Sequence, residues 1–238
     1  MAIEKNNPLV VMGVILGLSL MLSAGIGAYS FYKVRSLDNS LSVTGSARKQ
    51  VTSDTVKWTT ELSHSTENLQ EGNTLMQKDK AAVIAFLKES GFAEKDIEVS
   101  PTFMDHYTDY NRGQTDGKNF TQYNFRQTFE IESSDIGKVT KVAKNIDPLT
   151  QKGVQLSTQS LDYFYSKLPE LRVELLGEAI KDARVRAAKI AESDNQEVGS
   201  LQSASVGVVQ VLAPNSTDIS DYGTYDTSKI EKEVMVTV

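Results

Sequence analysis

The sequence predicts an α+β fold, with antiparallel or mixed sheets against packed helices, behind one N-terminal transmembrane helix. Three observations predict it. Residues 9–32 contain no charged side chain. Tyr123, Phe125, Phe129 and Ile131 alternate with Gln122, Asn124, Arg126, Thr128, Glu130 and Glu132, giving one dry face and one wet face, the signature of an antiparallel sheet. Two longer segments, near residues 66–90 and 169–193, repeat apolar residues at helical spacing, as helices laid on a sheet do.

The elements follow in order. Residues 1–8 form a short tail. Residues 9–32 make a helix of roughly 36 Å, enough to cross a hydrocarbon core of about 30 Å with some tilt. Tyr29, Phe31, Tyr32, Lys33 and Arg35 collar its C-terminal end. Small groups such as Ser23-Ala24-Gly25 also suit a signal-peptide cleavage site, but the apolar run exceeds the usual signal length, so an uncleaved anchor is expected. Lys5 on one side and Lys33 and Arg35 on the other leave the positive-inside rule without a clear vote. Gly13 and Gly17, then Ser19, Ser23 and Gly27, recur at four-residue spacing, which permits close helix–helix approach in lipid.

Residues 33–40 are a polar tether, and 41–238 form the soluble domain. Leu41–Gly45 alternates as a strand, and Val56, Trp58, Thr60 and Leu62 share one face of a second. The 66–90 helix presents Leu69, Met76, Val83, Phe86 and Leu87, with Gly91 as its C-terminal cap. A strand over 97–110 is interrupted by Pro101, and 109–119 is a turn-rich loop. After the strand through Phe125 come a short helix at 134–145, a strand at 154–165, and a long helix at 169–193 opened by Pro169. Ala179, Ala183, Ala187 and Ala191, beside Leu176, Ile180 and Ile190, give that helix a close-packing stripe. Val206–Val211 and Val234–Val238 read as the last strands, the final one an exposed edge over Glu233–Val238 open to pairing.

Composition narrows the function. The whole chain carries a formal charge of −6. Omitting the first 35 residues removes three of 25 basic and one of 31 acidic side chains and leaves about −8. Such a body repels phosphate backbones, so no nucleic-acid partner is expected. Cysteine is absent, which excludes thiol catalysis, thiolate metal sites and disulfides.

The residues that could carry chemistry are few. His64 and His106 stand far apart and in no metal or triad motif. The loop Asp105–Gly113 places Asp109 and Asn111 like the start of a calcium loop, but Phe120 occupies the twelfth position, where a bidentate Glu is needed. That loop and Asp218–Gly223 read as turns, as does Asp54 at the mouth of a strand. No catalytic, cofactor-binding or metal-binding residue is assigned, no cofactor is implied, and the protein is expected not to be an enzyme.

Three segments together carry a likeness. They are Leu41-Ser-Val-Thr-Gly-Ser-Ala-Arg48 with Asp54 after it, Lys181-Asp-Ala-Arg-Val-Arg-Ala-Ala-Lys-Ile-Ala-Glu192, and Ile230-Glu-Lys-Glu-Val-Met-Val-Thr-Val238. Over 41–238 the chain resembles the SIMPL-domain family of bacterial envelope proteins, a domain of unknown function. The resemblance implies an α+β fold, export from the cytoplasm, a loose association with oxidative-stress defence and, in some members, large hollow homo-oligomers. It offers no catalytic residues. Where the family's pattern has Gly after the 181–192 helix, this chain has Ser193-Asp-Asn-Gln196, and Asn195 is expected to take the same left-handed conformation.

The resulting expectation is a single-pass membrane protein with its soluble domain outside the cytoplasm, self-assembling as a homo-oligomer in a structural or scaffold role. The alternative is a ligand-binding or chaperone-like envelope protein without catalysis, using the aromatic region Phe103–Phe120.

Overall fold

The computed structural model describes residues 8–36, 40–109, 120–218 and 220–238. Asn111, Arg112 and Gly113 of the calcium-like loop, most of the N-terminal tail and part of the tether lie outside the described residues. The chain divides into two compact units. One runs to Thr44 and also takes in Val185–Val198; the other comprises Gly45–Arg184 and Gly199–Val238.

In the first unit, helix α1 spans Pro8–Ser36. Its stretch Pro8–Val34 is long and apolar enough to cross a membrane or to serve as a signal sequence. The hydroxyls of Ser19 and Ser23 donate to their own helix at Leu16 O (2.9 Å) and Leu20 O (3.0 Å). Lipid would leave them no water partner, and this back-bonding satisfies them. At the other end of the unit, Asn195 has φ 52°, the left-handed conformation expected of a stand-in for glycine.

The second unit is built on two sheets. In the larger, strand β2 (Thr55–Thr66) lies between β5 (Phe120–Ser133) and β6 (Leu156–Phe164), all antiparallel. The other side of β5 takes β3 (Ile97–Val99) and β4 (Phe103–Asp109). Helices α2 (Leu69–Glu89) and α3 (Ile136–Ala143) and the short α4 (Asp147–Thr150) join this sheet in one core. Its centre is Trp58, Leu62, Phe129, Ile131, Val83 and Leu87, all fully buried. Alternation explains the strands, because every second residue of β2 and β5 faces this core. Asn68 caps α2 by accepting from Gln70 N (3.0 Å) and Glu71 N (3.2 Å), and Gly91 ends its C-terminal turn at φ 85°. Leu69 is exposed, because the buried stripe of α2 runs through Gly72, Met76, Asp79, Val83 and Leu87 instead.

The smaller sheet has the order β1 (Ser46–Thr52), β8 (Glu231–Thr237), β7 (Gln210–Leu212). Helix α5 (Leu168–Ser193) buries Leu171, Leu175 and Ala179 against it, with Val211, Val234 and Val236 opposite.

Four expectations differ from the fold. The terminal strand is not an edge: β8 is the middle strand, paired with β1 over Glu231–Thr237 and with β7 over Glu233–Met235. Flanking strands satisfy the ladder groups that an edge would leave open. The strand expected at Leu41–Gly45 begins at Ser46, since the ladder closes with the Gly45–Val238 pair, bonded both ways at 3.0 Å. The Val206–Val211 strand shrinks to Gln210–Leu212, because Val206 and Val208 are exposed and have no core to face. Ile180 and Ile190, expected beside the alanine stripe, are also exposed. A three-stranded sheet covers only a narrow strip of helix.

Candidate functional site

The two sheets meet at a corner rich in polar contacts. The β1–β2 turn places Asp54, whose carboxylate accepts from Ser166 N and Ser166 Oγ, both at 2.8 Å, and from Thr55 Oγ1 at 3.2 Å. Burial pushes this carboxyl up, but the hydrogen bonds from Ser166 and Thr55 outweigh it and hold it below the usual range. From the other side, Tyr163 N donates to Thr227 O (2.8 Å), Thr227 Oγ1 to Asp162 (2.7 Å) and Tyr165 N to the Tyr225 hydroxyl (3.0 Å). Asp54 is thus a turn residue that fastens the start of α5.

Lys232 lies under this corner, fully buried. Its Nζ donates to the carbonyls of Asp226 and, at 2.8 Å, Lys229, and stands 5.6 Å from the Tyr225 ring centre. Burial pulls the ammonium below the usual lysine range, against the opposing fields of Asp226 and Asp162. The chemistry available is a backbone clamp. Two of its three donors go to these carbonyls, and the side chain has no exposed surface.

His64, which had no partner in the sequence reading, has one in the fold. Its Nε2 lies 2.5 Å from Asp79 Oδ2, and the two side chains keep only 12% and 10% of their surface. The pair ties α2 to β2. Among the described residues no hydroxyl hydrogen-bonds to His64, and the contact shown is the histidine–carboxylate pair alone. Asp79 was legible in principle, since it stands on the apolar stripe of α2 where an aliphatic residue would be expected. The same signal marks Lys232, in register with Val234 and Val236, and Gln127, in register with Phe125 and Phe129. His106 sits apart on exposed β4, its ring 6.1 Å from that of Tyr123.

Two surfaces remain. An open groove of about 530 Å³ is lined by Lys57, Glu98, Glu130 and Glu132 among others. Lys57 and Glu130 are 2.6 Å apart, and that bond raises the lysine above its usual range. No group of three or more His, Asp or Glu side chains among the described residues is placed to hold a metal ion. The second surface is β4, where Phe103, Met104 and Tyr107 are exposed. On it Arg126 covers the Phe103 ring at 5.2 Å and bonds Asp105 at 2.7 Å.

The segments that carried the family likeness form a packing joint. A Cβ on Gly45 would collide with Ala179 O and come within 2.7 Å of Ala183 Cβ. Asp182 Oδ2 accepts from Ser46 N at 2.8 Å. Glycine and alanine let β1 and α5 touch, and the aspartate satisfies the strand's outward N–H.

Residues 41–238 match the family model described as SIMPL, protein of unknown function (DUF541). No curated protein matches the chain.

Proposed function

The chain belongs to the SIMPL family, and on that premise we propose that it is a membrane-anchored, non-catalytic scaffold that self-assembles. The observation that carries this reading is the uncovered apolar face of α5. Val173 keeps 72% of its surface and Ile180 41%, on a helix whose other side is spent on the three-stranded sheet. Exposed apolar residues grouped on one helix face mark interaction sites. A second copy is the partner always at hand, because α1 would confine all copies to one membrane and so raise their effective concentration. The signal-like look of α1 and the family likeness support a soluble domain outside the cytoplasm, and the likeness alone supports a role in oxidative-stress defence.

Light scattering on the full chain in detergent tests the assembly. The expected result is a multi-subunit species that dissociates when Val173→Lys and Ile180→Lys are combined. A monomeric wild-type chain would refute it. The absence of cysteine makes topology testable as well. Tyr222, 97% exposed, replaced by Cys should react with a membrane-impermeant maleimide on intact cells, and labelling only after lysis would place the domain inside.

A second reading, a polypeptide-binding envelope protein, is favoured by one observation, the exposure of Phe103, Met104 and Tyr107 on β4.

A further inference from the structure

Helix α5 buries Leu171, Leu175 and Ala179. At about 100° per residue, Gly177 lies on the opposite side of the helix. It is exposed, and nothing stands within 4 Å of where its Cβ would be. Glycine inside a helix is less stable than alanine, and among the described residues no contact of this chain calls for one here. The residues around Gly177 are arranged about it in matched pairs. Glu170 and Arg184 stand seven positions before and after it. Val173 and Ile180 share one flank, and Glu174 and Lys181 share the other, each pair split by Gly177. All six side chains belong to exposed residues. Glu174 keeps one carboxylate oxygen on Lys49 at 2.6 Å, which leaves its second oxygen able to accept another donor. Glu170, Glu174 and Glu178 follow one another at four-residue spacing, which is unfavourable within a single helix. The helix dipole favours acidic groups in the first turn only, so it accounts for Glu170 and not for the other two.

This pattern is complementary to itself. Two copies of α5 laid antiparallel, with Gly177 against Gly177, bring Glu170 of one level with Arg184 of the other. On one flank Val173 comes within about 1.5 Å in height of Ile180, and on the other Glu174 does the same with Lys181. Each of these pairs forms twice. The missing side chains at the crossing let the two backbones approach closely. A parallel arrangement would instead set Glu170 on Glu170 and Arg184 on Arg184, and like charges face to face reject a partner. A contact in which both copies use the same patch also closes after two copies. We propose that the outward face of α5 is a two-fold interface, in which two copies of this chain cross antiparallel at Gly177. Val173 packs on Ile180, and Glu170 and Glu174 meet Arg184 and Lys181.

This rests on the self-assembly reading, and charge exchange between copies separates the two. Sedimentation of the full chain in detergent compares the wild type with Glu170→Arg and with Arg184→Glu. Each variant alone makes both ends of the face alike in sign, and each should associate at least tenfold more weakly, with the far-ultraviolet circular dichroism unchanged. Mixed in equal amounts, the two variants should regain wild-type association, because every arginine then opposes a glutamate. Gly177→Cys supplies an independent measurement, since the chain has no other cysteine. Mild oxidation should convert it to a disulfide-linked pair, because the two sulfurs sit on the two-fold axis. Single variants that associate like the wild type, or a mixture as weak as its components, overturn the interface. Self-assembly stands in either case if the wild type is still multimeric. An assembled Gly177→Cys chain that forms no cross-link overturns the crossing point. A monomeric wild type removes both the interface and the self-assembly reading, and leaves the face to a different partner.

Discussion

The five-stranded sheet is filled by large side chains, with Trp58, Phe129, Leu62 and Ile131 fully buried between β2, β5 and the helices. The three-stranded sheet is lined by valine, leucine and alanine, and its helix approaches so closely that Gly45 has no room for a methyl group. The first gains its stability from apolar area, which scales with what is removed from water. The second depends on close approach and on tied strand ends, with Asp54 and Asp182 each holding backbone N–H groups. In the three-stranded sheet each edge carries a bond to a neighbouring segment, from Ser46 N to Asp182 and from Val211 N to Thr224 O.

The comparison breaks first if large side chains do not dominate the larger sheet. Trp58→Ala removes a fully buried ring and its indole bond to Thr158 (3.2 Å), and should destabilise by about 3–5 kcal/mol. Chemical denaturation measures this, and a loss below about 1 kcal/mol would mean the core collapses around the gap.

Two glycines sharpen the contrast. Gly45→Ala forces a methyl group into the backbone of α5 and should destabilise by roughly 1–3 kcal/mol. Gly177 lies on α5 itself with nothing within 4 Å of where a Cβ would stand, so Gly177→Ala should stabilise by about 0.5–1 kcal/mol through helix propensity alone. Thermal unfolding of both variants decides it. A Gly45→Ala variant as stable as the wild type would show that β1 and α5 do not meet as closely as described.

The smallest effect is electrostatic. The folded-state carboxyl of Asp54 is held below its ordinary value, so its contribution is fully present above the ordinary carboxylate range. It is lost as pH falls through that range toward the depressed value. The site is partly solvated, so Asp54→Asn should lower stability near neutral pH by less than about 1 kcal/mol. That difference should close on acidification. Melting curves of the two proteins from neutral to acid pH provide the check, and a gap that widens in acid would reverse the sign.

Much of the fold was legible because local pattern fixes local structure. The charge-free run of α1, the alternation of β2 and β5, and the caps at Gly91 and Asn195 each depend on a few neighbouring residues. Strand neighbourhood was not legible. Glu231–Thr237 has the same sequence whether it ends a sheet or divides it, and only its insertion between β1 and β7 made it central. The partners of the buried polar groups were hidden for the same reason. Asp79 and Lys232 are visible as charges at inward positions, but His64 lies 15 residues from Asp79, and the carbonyls that hold Lys232 belong to a loop. Side-chain period and solvation were enough for the α+β class, the apolar N-terminal helix and the inward face of most elements, since each depends on neighbouring residues alone. Tertiary structure alone decided which strands are edges and which charges find partners, because both are pairings between distant segments, set by how the chain closes on itself.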